Sequence, residues 1–392
     1  MKELKISNLT VTIPIIQGGM GVAISLSGLA SAVANQGGVG VISAVGIGMT
    51  EPDYINNFRN ANKRALKKEI RKAKAQAPQG VLGVNLMLAI SDFDDLLKIA
   101  IDEKIDIVFI SAGLPLKNPI NLPVEVLEKS GVKIIPKVSS ARAANLIFQY
   151  WENHYNRVPD GIVIEGPLSG GHQGFRKKEL INPQIKISNL VKETVEILKP
   201  FEEKFNIEIP VIAAGGIYTG KDIFQIMQSG AKAVKMGTRF VPTFECDADE
   251  NFKNAYVLSK QKDITIIDSP VGLPGRVIKN DFVEDILKGI TKPIKCPWKC
   301  LKTCNYKEVS FCIAQALFNA AQGKMEEGFA FAGANAYLTE KIISVEDVFN
   351  QLKNEYLQEL LFENMLNIKT IVGNTQQTQL PKRSKYKLNA NK

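Results

Sequence analysis

The sequence predicts a closed (β/α)8 TIM barrel carrying a smaller, mainly helical C-terminal lobe. Three observations predict it. Short β-branched runs alternate with helical patterns from the start of the chain to about residue 240. Eight such runs occur, and they are nearly continuously apolar, as parallel strands covered on both faces are. The length of 392 residues, 45% of them hydrophobic and 23% charged, suits one barrel plus an appendage.

The strands are expected at 14–17, 39–43, 82–85, 106–111, 133–137, 161–165, 210–213 and 233–236. Helical patterns fill most of the gaps, at 27–35, 52–74, 92–103, 123–129, 140–153, 189–205 and 221–229. Most open near Ser, Thr, Asn or Asp, and several close at Gly or Asn, which follows the capping asymmetry of helices. Beyond Thr238 the rhythm changes. A loop-rich stretch, 264–278, precedes a cysteine segment, and helical patterns run over 307–322 and 345–362. The organisation expected is a barrel over 1–240, a lobe over 241–370 and a disordered tail over 371–392, whose Gln, Asn, Lys and Thr carry no apolar periodicity.

Charge and composition exclude several classes. The net charge is +9, but residues 61–75 carry +6 and residues 373–392 carry +5, leaving the body at −2. One solvated helix face and one tail therefore hold the positive charge, and no zinc-finger spacing or stacking platform supports nucleic acid. No apolar run is long enough to span a membrane, and Met1–Lys5 lacks the apolar stretch of a secretory signal. Five cysteines, an odd number, suggest a reducing compartment and a cytoplasmic location.

In a barrel, the residues after strand C-termini line the active-site face. The first strand ends in Gln17-Gly18-Gly19-Met20-Gly21, where adjacent glycines admit a flat ligand and Met20 can lie against a ring. Asn85 closes the third strand, and Lys137 closes the fifth with a cation suited to phosphate or a flavin carbonyl. The sixth ends in Glu165, followed by a loop that contains Gly170-Gly171-His172-Gln173-Gly174. A histidine among glycines in a long loop is placed for proton transfer, whereas His154, beside Trp151 and Tyr155, reads as structural. Gly215 and Gly216 after the seventh strand, with Lys235-Met236-Gly237-Thr238 at the eighth, are the residue types of a barrel phosphate site. That site would use glycine N–H groups and the helix N-terminus opened by Thr219 to Asp222.

Together QGGMG at 17–21, GVN at 83–85, GGHQG at 170–174, AAGGI at 213–217 and MGTRF at 236–240 resemble the nitronate monooxygenase family. That family, formerly called 2-nitropropane dioxygenase, also contains flavin-dependent enoyl-acyl-carrier-protein reductases. The resemblance implies an FMN-binding barrel with a covering lobe. It implies that Asn85, Glu165, Gly170, Gly216 and Lys235 to Thr238 bind FMN, that Gly18, Gly19 and Met20 pack along the flavin, and that His172 is catalytic. The reaction implied is oxidation of alkyl nitronates by O2 to a carbonyl compound and nitrite. The second activity of the family would use NAD(P)H as electron donor and an enoyl thioester as substrate. Two departures stand out. Leu168-Ser169 replaces the usual Glu-Ala, and Glu165 stands where Gln is usual, an acid that needs a partner. The partners implied are small molecules, with neither nucleic acid nor membrane, and an oligomer is compatible with the sequence.

Cys296, Cys300, Cys304 and Cys312 are spaced C-x3-C-x3-C-x7-C. Clustered thiolates suit zinc or an iron–sulfur cluster, but the spacing matches neither the C-x2-C zinc knuckle nor the ferredoxin runs, so reduced thiols are the expectation, with a metal or cluster and a redox-labile disulfide as the alternatives. On a helix over 308–322, Cys312 would lie a turn inside it. The segment FAFAGANAY, 329–337, resembles one that the family packs near the flavin.

Overall fold

The computed structural model describes residues 1–116, 124–292, 294 and 296–372. An antiparallel hairpin, β1 (Leu4–Ile6) and β2 (Leu9–Val11), precedes the barrel. The eight expected strands all form: β3 (Ile15–Gln17), β4 (Val39–Ser43), β5 (Val81–Met87), β6 (Ile107–Ser111), β7 (Lys133–Val138), β8 (Ile162–Glu165), β10 (Val211–Ala214) and β11 (Ala233–Met236). The barrel closes where β11 pairs in parallel with β3, Val234 opposite Ile15 and Met236 opposite Gln17. The helices are α1 (Ser27–Asn35), α2 (Tyr54–Gln76), α3 (Phe93–Asp102), α4 (Val124–Ser130), α5 (Ala141–Tyr155), α6 (Lys177–Leu180), α7 (Ile187–Phe205) and α8 (Gly220–Met227). Pro123, expected to open α4, lies outside the described residues.

Alternation along the strands sorts the side chains into two cores. Ile16, Val41, Phe109, Ile135, Val163 and Ile212 belong to the one inside the barrel. Their outward neighbours Ile15, Ile42, Val108, Ile134 and Ile164 pack against the helices. The same parity turns Asn85, Lys137, Glu165 and Lys235 inward at the C-terminal rim of the barrel.

The C-terminal region is mainly helical, with α9 (Glu250–Leu258), α10 (Asp281–Leu287), α11 (Ile313–Ala321) and α12 (Val345–Val372). It departs from expectation in one respect. The stretch read as loop is a hairpin of β12 (Ile264–Asp268) and β13 (Pro274–Ile278), and it accepts β9 (Gly171–His172) as a third strand. Its turn signals, Pro270 and Gly272 (φ +78°), punctuate two β-branched runs and mark a hairpin turn. Helix α11 is shorter than expected, and Cys312 is its N-cap, not a residue within it. Because α12 runs to Val372, the expected tail falls from residue 373 onward outside the described residues. Among the described residues no helix is long and apolar enough to cross a membrane.

The basic helix is α2, and acids meet it along its length. Lys68 reaches Glu51 at 3.3 Å, Lys63 reaches Asp95 at 3.8 Å, and Arg71 and Lys67 share Glu103 at 2.8 and 3.4 Å. The charge lies on the barrel flank as solvated ion pairs, each worth little.

Close packing of α1 on β4 depends on Gly40. A Cβ there would lie 1.8 Å from the Ala30 carbonyl oxygen, a backbone atom that cannot move alone. Gly40→Ala is expected to cost about 3 kcal/mol, lowering the midpoint of urea unfolding with an unchanged slope.

Candidate active site

The strand ends meet at one rim. The backbone N–H of Gly18 donates to the Met236 carbonyl at 2.8 Å, and Gln17 Oε1 accepts from the Val41 N–H at 2.8 Å. These bonds seat the first-strand glycines between β11 and β4. A Cβ on Gly19 would come within 2.4 Å of Asn85 Cβ, and one on Gly237 within 3.3 Å of Met20 Sδ. Gly18, Gly19, Met20, Asn85 and Gly237 therefore share one surface, kept low by missing side chains.

Charge collects beside it. Lys137 Nζ lies 2.8 Å from both carboxylate oxygens of Glu165, supplying the partner that the acid needs. Lys235 has no such partner. Its ammonium is buried without a hydrogen bond and stands 3.7 Å from the centre of the Phe109 ring. Burial, and then repulsion from Lys137, pulls its pKa down to about 7, with Glu165 opposing the fall. The rim thus holds two lysines against one glutamate.

His172 enters from the side. As part of β9 it pairs with Gly275 of β13, and Gly171 pairs with Arg276. Its Nε2 is 2.7 Å from Ser269 Oγ, and its ring meets Phe331 edge-on at 4.9 Å. The buried Arg276 guanidinium donates to the carbonyls of Pro167 and Ser169 at 2.8 and 2.5 Å. Gln173 donates to the Ser169 and Gly171 carbonyls at 2.7 and 3.0 Å, and accepts from Ser169 Oγ at 3.1 Å. Ser169, one of the two departures, is thus wired into the loop that carries His172. Burial, and then Lys137, lower the His172 pKa to about 4, so the ring is neutral at neutral pH.

The small-residue segment 329–337 covers this loop. Gly333 N–H donates to Thr238 Oγ1 at 2.9 Å, Asn335 donates to the Gly216 carbonyl at 2.8 Å, and Ala334 N–H donates to the Leu168 carbonyl at 3.0 Å. A Cβ on Gly170 would lie 2.6 Å from the Ala332 and Gly333 backbone. Gly215 and Gly216 both take left-handed φ, +93° and +79°, which turns the chain beneath the segment.

One expectation fails. The N-terminus of α8 does not face an anion, because its first N–H groups are occupied. Asp222 accepts from the N–H groups of Tyr218 and Thr219 at 2.9 and 2.8 Å, and Glu355 of α12 accepts from Gly220 at 2.6 Å. The glycines at 215–216 and 237 remain; the helix end is already capped. His154 lies exposed on α5, stacked on Tyr150 at 3.8 Å. Sequence reading missed Ser269 and Arg276, and held Phe331 and Asn335 only as members of the segment 329–337. For Arg276, a lone cation in the run Pro274–Ile278, that isolation was the available signal. A surface cleft between α7 and the starts of β10 and β11 is lined by Val195, Glu202 and Lys232 and lies at the opposite end of the barrel from this rim.

Residues 2–355 match the nitronate monooxygenase family. The chain belongs to the nitronate monooxygenase family. Its relatives in that comparison are distant and chemically varied. It is 27% identical over 298 residues to a probable nitronate monooxygenase of Staphylococcus saprophyticus, covering 70% of this chain and 78% of that protein. It is 26% identical over 273 residues to a (3aS,4S,5R,7aS)-5-hydroxy-7a-methyl-1-oxo-octahydro-1H-indene-4-carboxyl-CoA dehydrogenase of Rhodococcus jostii, covering 70% of this chain and 64% of that relative. Among solved structures it is similar to FabK from Thermotoga maritima, with 28% identity and a TM-score of 0.69, covering 91% of this chain and 96% of that one. A nitroalkane oxidase from Streptomyces ansochromogenes, 18% identical with a TM-score of 0.65 over 88% and 96% of the two chains, shares the fold. This member of the nitronate monooxygenase family is accordingly an oxidoreductase-type barrel whose rim carries His172, Lys137, Glu165 and Lys235.

The neutral state of His172 has a consequence for stability. With a folded pKa near 4 against an ordinary 6.5, its contribution is fully present above pH 6.5 and is lost as the pH falls toward 4. Urea midpoints measured across that window should fall less in His172→Gln than in the parent protein. An identical fall in both would show the ring to be solvated.

Proposed function

We propose that the chain is an FMN-dependent oxidoreductase that oxidises alkyl nitronates with O2, giving a carbonyl compound and nitrite. The observation that carries the reading is the buried, unpartnered Lys235 ammonium at a rim floored by glycines. An orphan cation in a dry site calls for an anion, and both FMN and a nitronate are anionic. When bound, FMN supplies the electron acceptance that no side chain of the chain can provide.

The residues that would hold it follow from the geometry. Gly18, Gly19 and Met20 form a low floor, and Asn85 adds a hydrogen-bonding edge. Lys137, fixed by Glu165, and Lys235 place positive charge at the rim. Gly170, Gly171, Gly215 and Gly216, with Met236, Gly237 and Thr238, would line the phosphate end.

For the substrate, the state of His172 favours a nitronate over a neutral nitroalkane. A ring with a pKa near 4 is a poor base at neutral pH, and a nitronate has already lost its proton. His172 would then orient the substrate through Nδ1 while Ser269 holds Nε2. The rim lysines would stabilise charge on the nitro oxygens.

The second reading is reduction of an enoyl thioester with NAD(P)H, supported by the likeness to FabK and to the indene-4-carboxyl-CoA dehydrogenase relative, whose name also carries a CoA thioester. A basic helix at the rim would favour an acidic carrier protein. Here Lys67 and Arg71 instead pair with Glu103 just before β6, at the far end of the barrel.

Two measurements test the proposal. Protein loaded with FMN should release nitrite from a primary alkyl nitronate under air, and NADH should bleach the flavin slowly without oxygen. Fast bleaching by NADH, turnover of a crotonyl thioester and no nitrite would replace the first reading by the second. Thr238→Glu should lose FMN on gel filtration, because its carboxylate would face the phosphate; a variant that stays yellow would overturn the phosphate assignment. Lys235→Met should retain FMN about tenfold less tightly, measured by flavin fluorescence on titration.

A further inference from the structure

The cysteine segment forms a second site, apart from the rim charges. Its anchors are specific. Ser91 N–H donates to the Cys300 carbonyl at 3.0 Å and Lys302 N–H donates to the Ala89 carbonyl at 2.9 Å. Lys302 Nζ also donates to the Leu88 carbonyl at 2.9 Å. Trp298 stacks on Phe58 at 5.2 Å and tilts against Tyr54 at 5.5 Å, fastening the segment to the start of α2. The segment therefore lies against the loop that follows β5 and Asn85.

Cys296, Cys300, Cys304 and Cys312, all free thiols, line one cavity walled by Leu301, Phe311 and Ile313. A backbone N–H already points at one of the sulfurs: Lys299 N–H donates to Cys296 Sγ at 3.4 Å, while Cys312 stands at the N-cap of α11. Between Lys288 and Lys307 the sequence contains no acid, while Lys299 and Lys302 flank the thiols. Four sulfurs in an apolar pocket, with an N–H···S bond and surrounding cations, are the donor set and setting of an anionic metal–thiolate centre.

The kind of centre follows from the donor set, four cysteines around one cavity. Among the described residues no three His, Cys, Asp or Glu side chains are gathered tightly enough to hold a single ion. Thiolates on a cluster bind separate irons and so stand further apart than those around one zinc ion. We propose that Cys296, Cys300, Cys304 and Cys312 ligate an iron–sulfur cluster of the four-iron class. Ligation replaces four S–H bonds by four S–Fe bonds and releases four protons, giving the four half-buried thiols one common partner. The cavity also reaches Pro270, next to the Ser269 that holds His172. The cluster would thus fix the loop after Asn85 and the turn behind His172 together.

The experiment is metal and sulfide analysis of the full chain, purified without oxygen and, in parallel, reconstituted with equal amounts of ferrous and ferric iron and sulfide, which supply the two ferric ions of the resting cluster. About four irons and four acid-labile sulfides per chain are expected, with broad visible absorption beneath any flavin bands that dithionite bleaches. Cys300→Ser and Cys312→Ser should each lose that iron and sulfide, whereas Cys246→Ser, outside the cavity, should keep both. Zinc near one per chain without sulfide would overturn the proposal. So would parent protein, folded by circular dichroism, that holds neither metal nor sulfide after reconstitution. FMN content is read in the same samples, so failure here is distinct from failure of the flavin reading.

Discussion

Everything at the rim depends on barrel closure, the parallel pairing of β11 with β3. Closing the sheet turns alternate side chains of eight strands into one interior, and that interior has no room for polar groups except at its ends. Ile16, Val41, Phe109, Ile135 and Val163 fill the middle. One step further along the same parity, Asn85, Lys137, Glu165 and Lys235 emerge at the C-terminal end. Closure also brings Gly18 beside Gly237, residues at opposite ends of the barrel sequence. The chemistry-bearing ring is thus an outcome of strand register before it is an outcome of any loop.

Electrostatics at the rim is unbalanced by design of the sequence. Lys137 and Glu165 neutralise each other at 2.8 Å, while Lys235 is buried without an ion-pair partner against an aromatic face. Burial that costs stability persists where a ligand later offsets it. The same dry surroundings hold His172 neutral. Two groups with opposite ordinary behaviour, an ammonium and an imidazole, are both pushed toward their uncharged forms by one environment.

The barrel was legible because its signals are local. Each strand is a short apolar run, and several helices carry recognisable caps, such as Ser140 before α5 and Thr219 before α8. The rim residues were legible too, since position after a strand decides who lines the mouth. What escaped is held by long-range contacts. Ser269 lies 97 residues from His172 along the chain, and its role exists only through the β9–β13 pairing. The capped start of α8 escaped for the same reason, because Glu355 comes from α12, 135 residues away. The hairpin 264–278 was hidden by its turn residues, whose Pro and Gly outweighed the alternation on either side.

The two-residue strand β9 carries a larger meaning than its size. His172 stands opposite Gly275, and its place is set by the register of a hairpin that belongs to the C-terminal region, not to the barrel. Strand pairing has a period of two, so a slip of one residue would turn the ring to the other face of the sheet. Insertions and deletions inside β9 or β13 would shift this register, whereas the loops between them can absorb length changes without moving it. The register of β9 on β13, and not the length of any loop, becomes a dial on where the imidazole points. Divergence of activity among barrels of this kind could proceed through that dial while the rim charges stay unchanged.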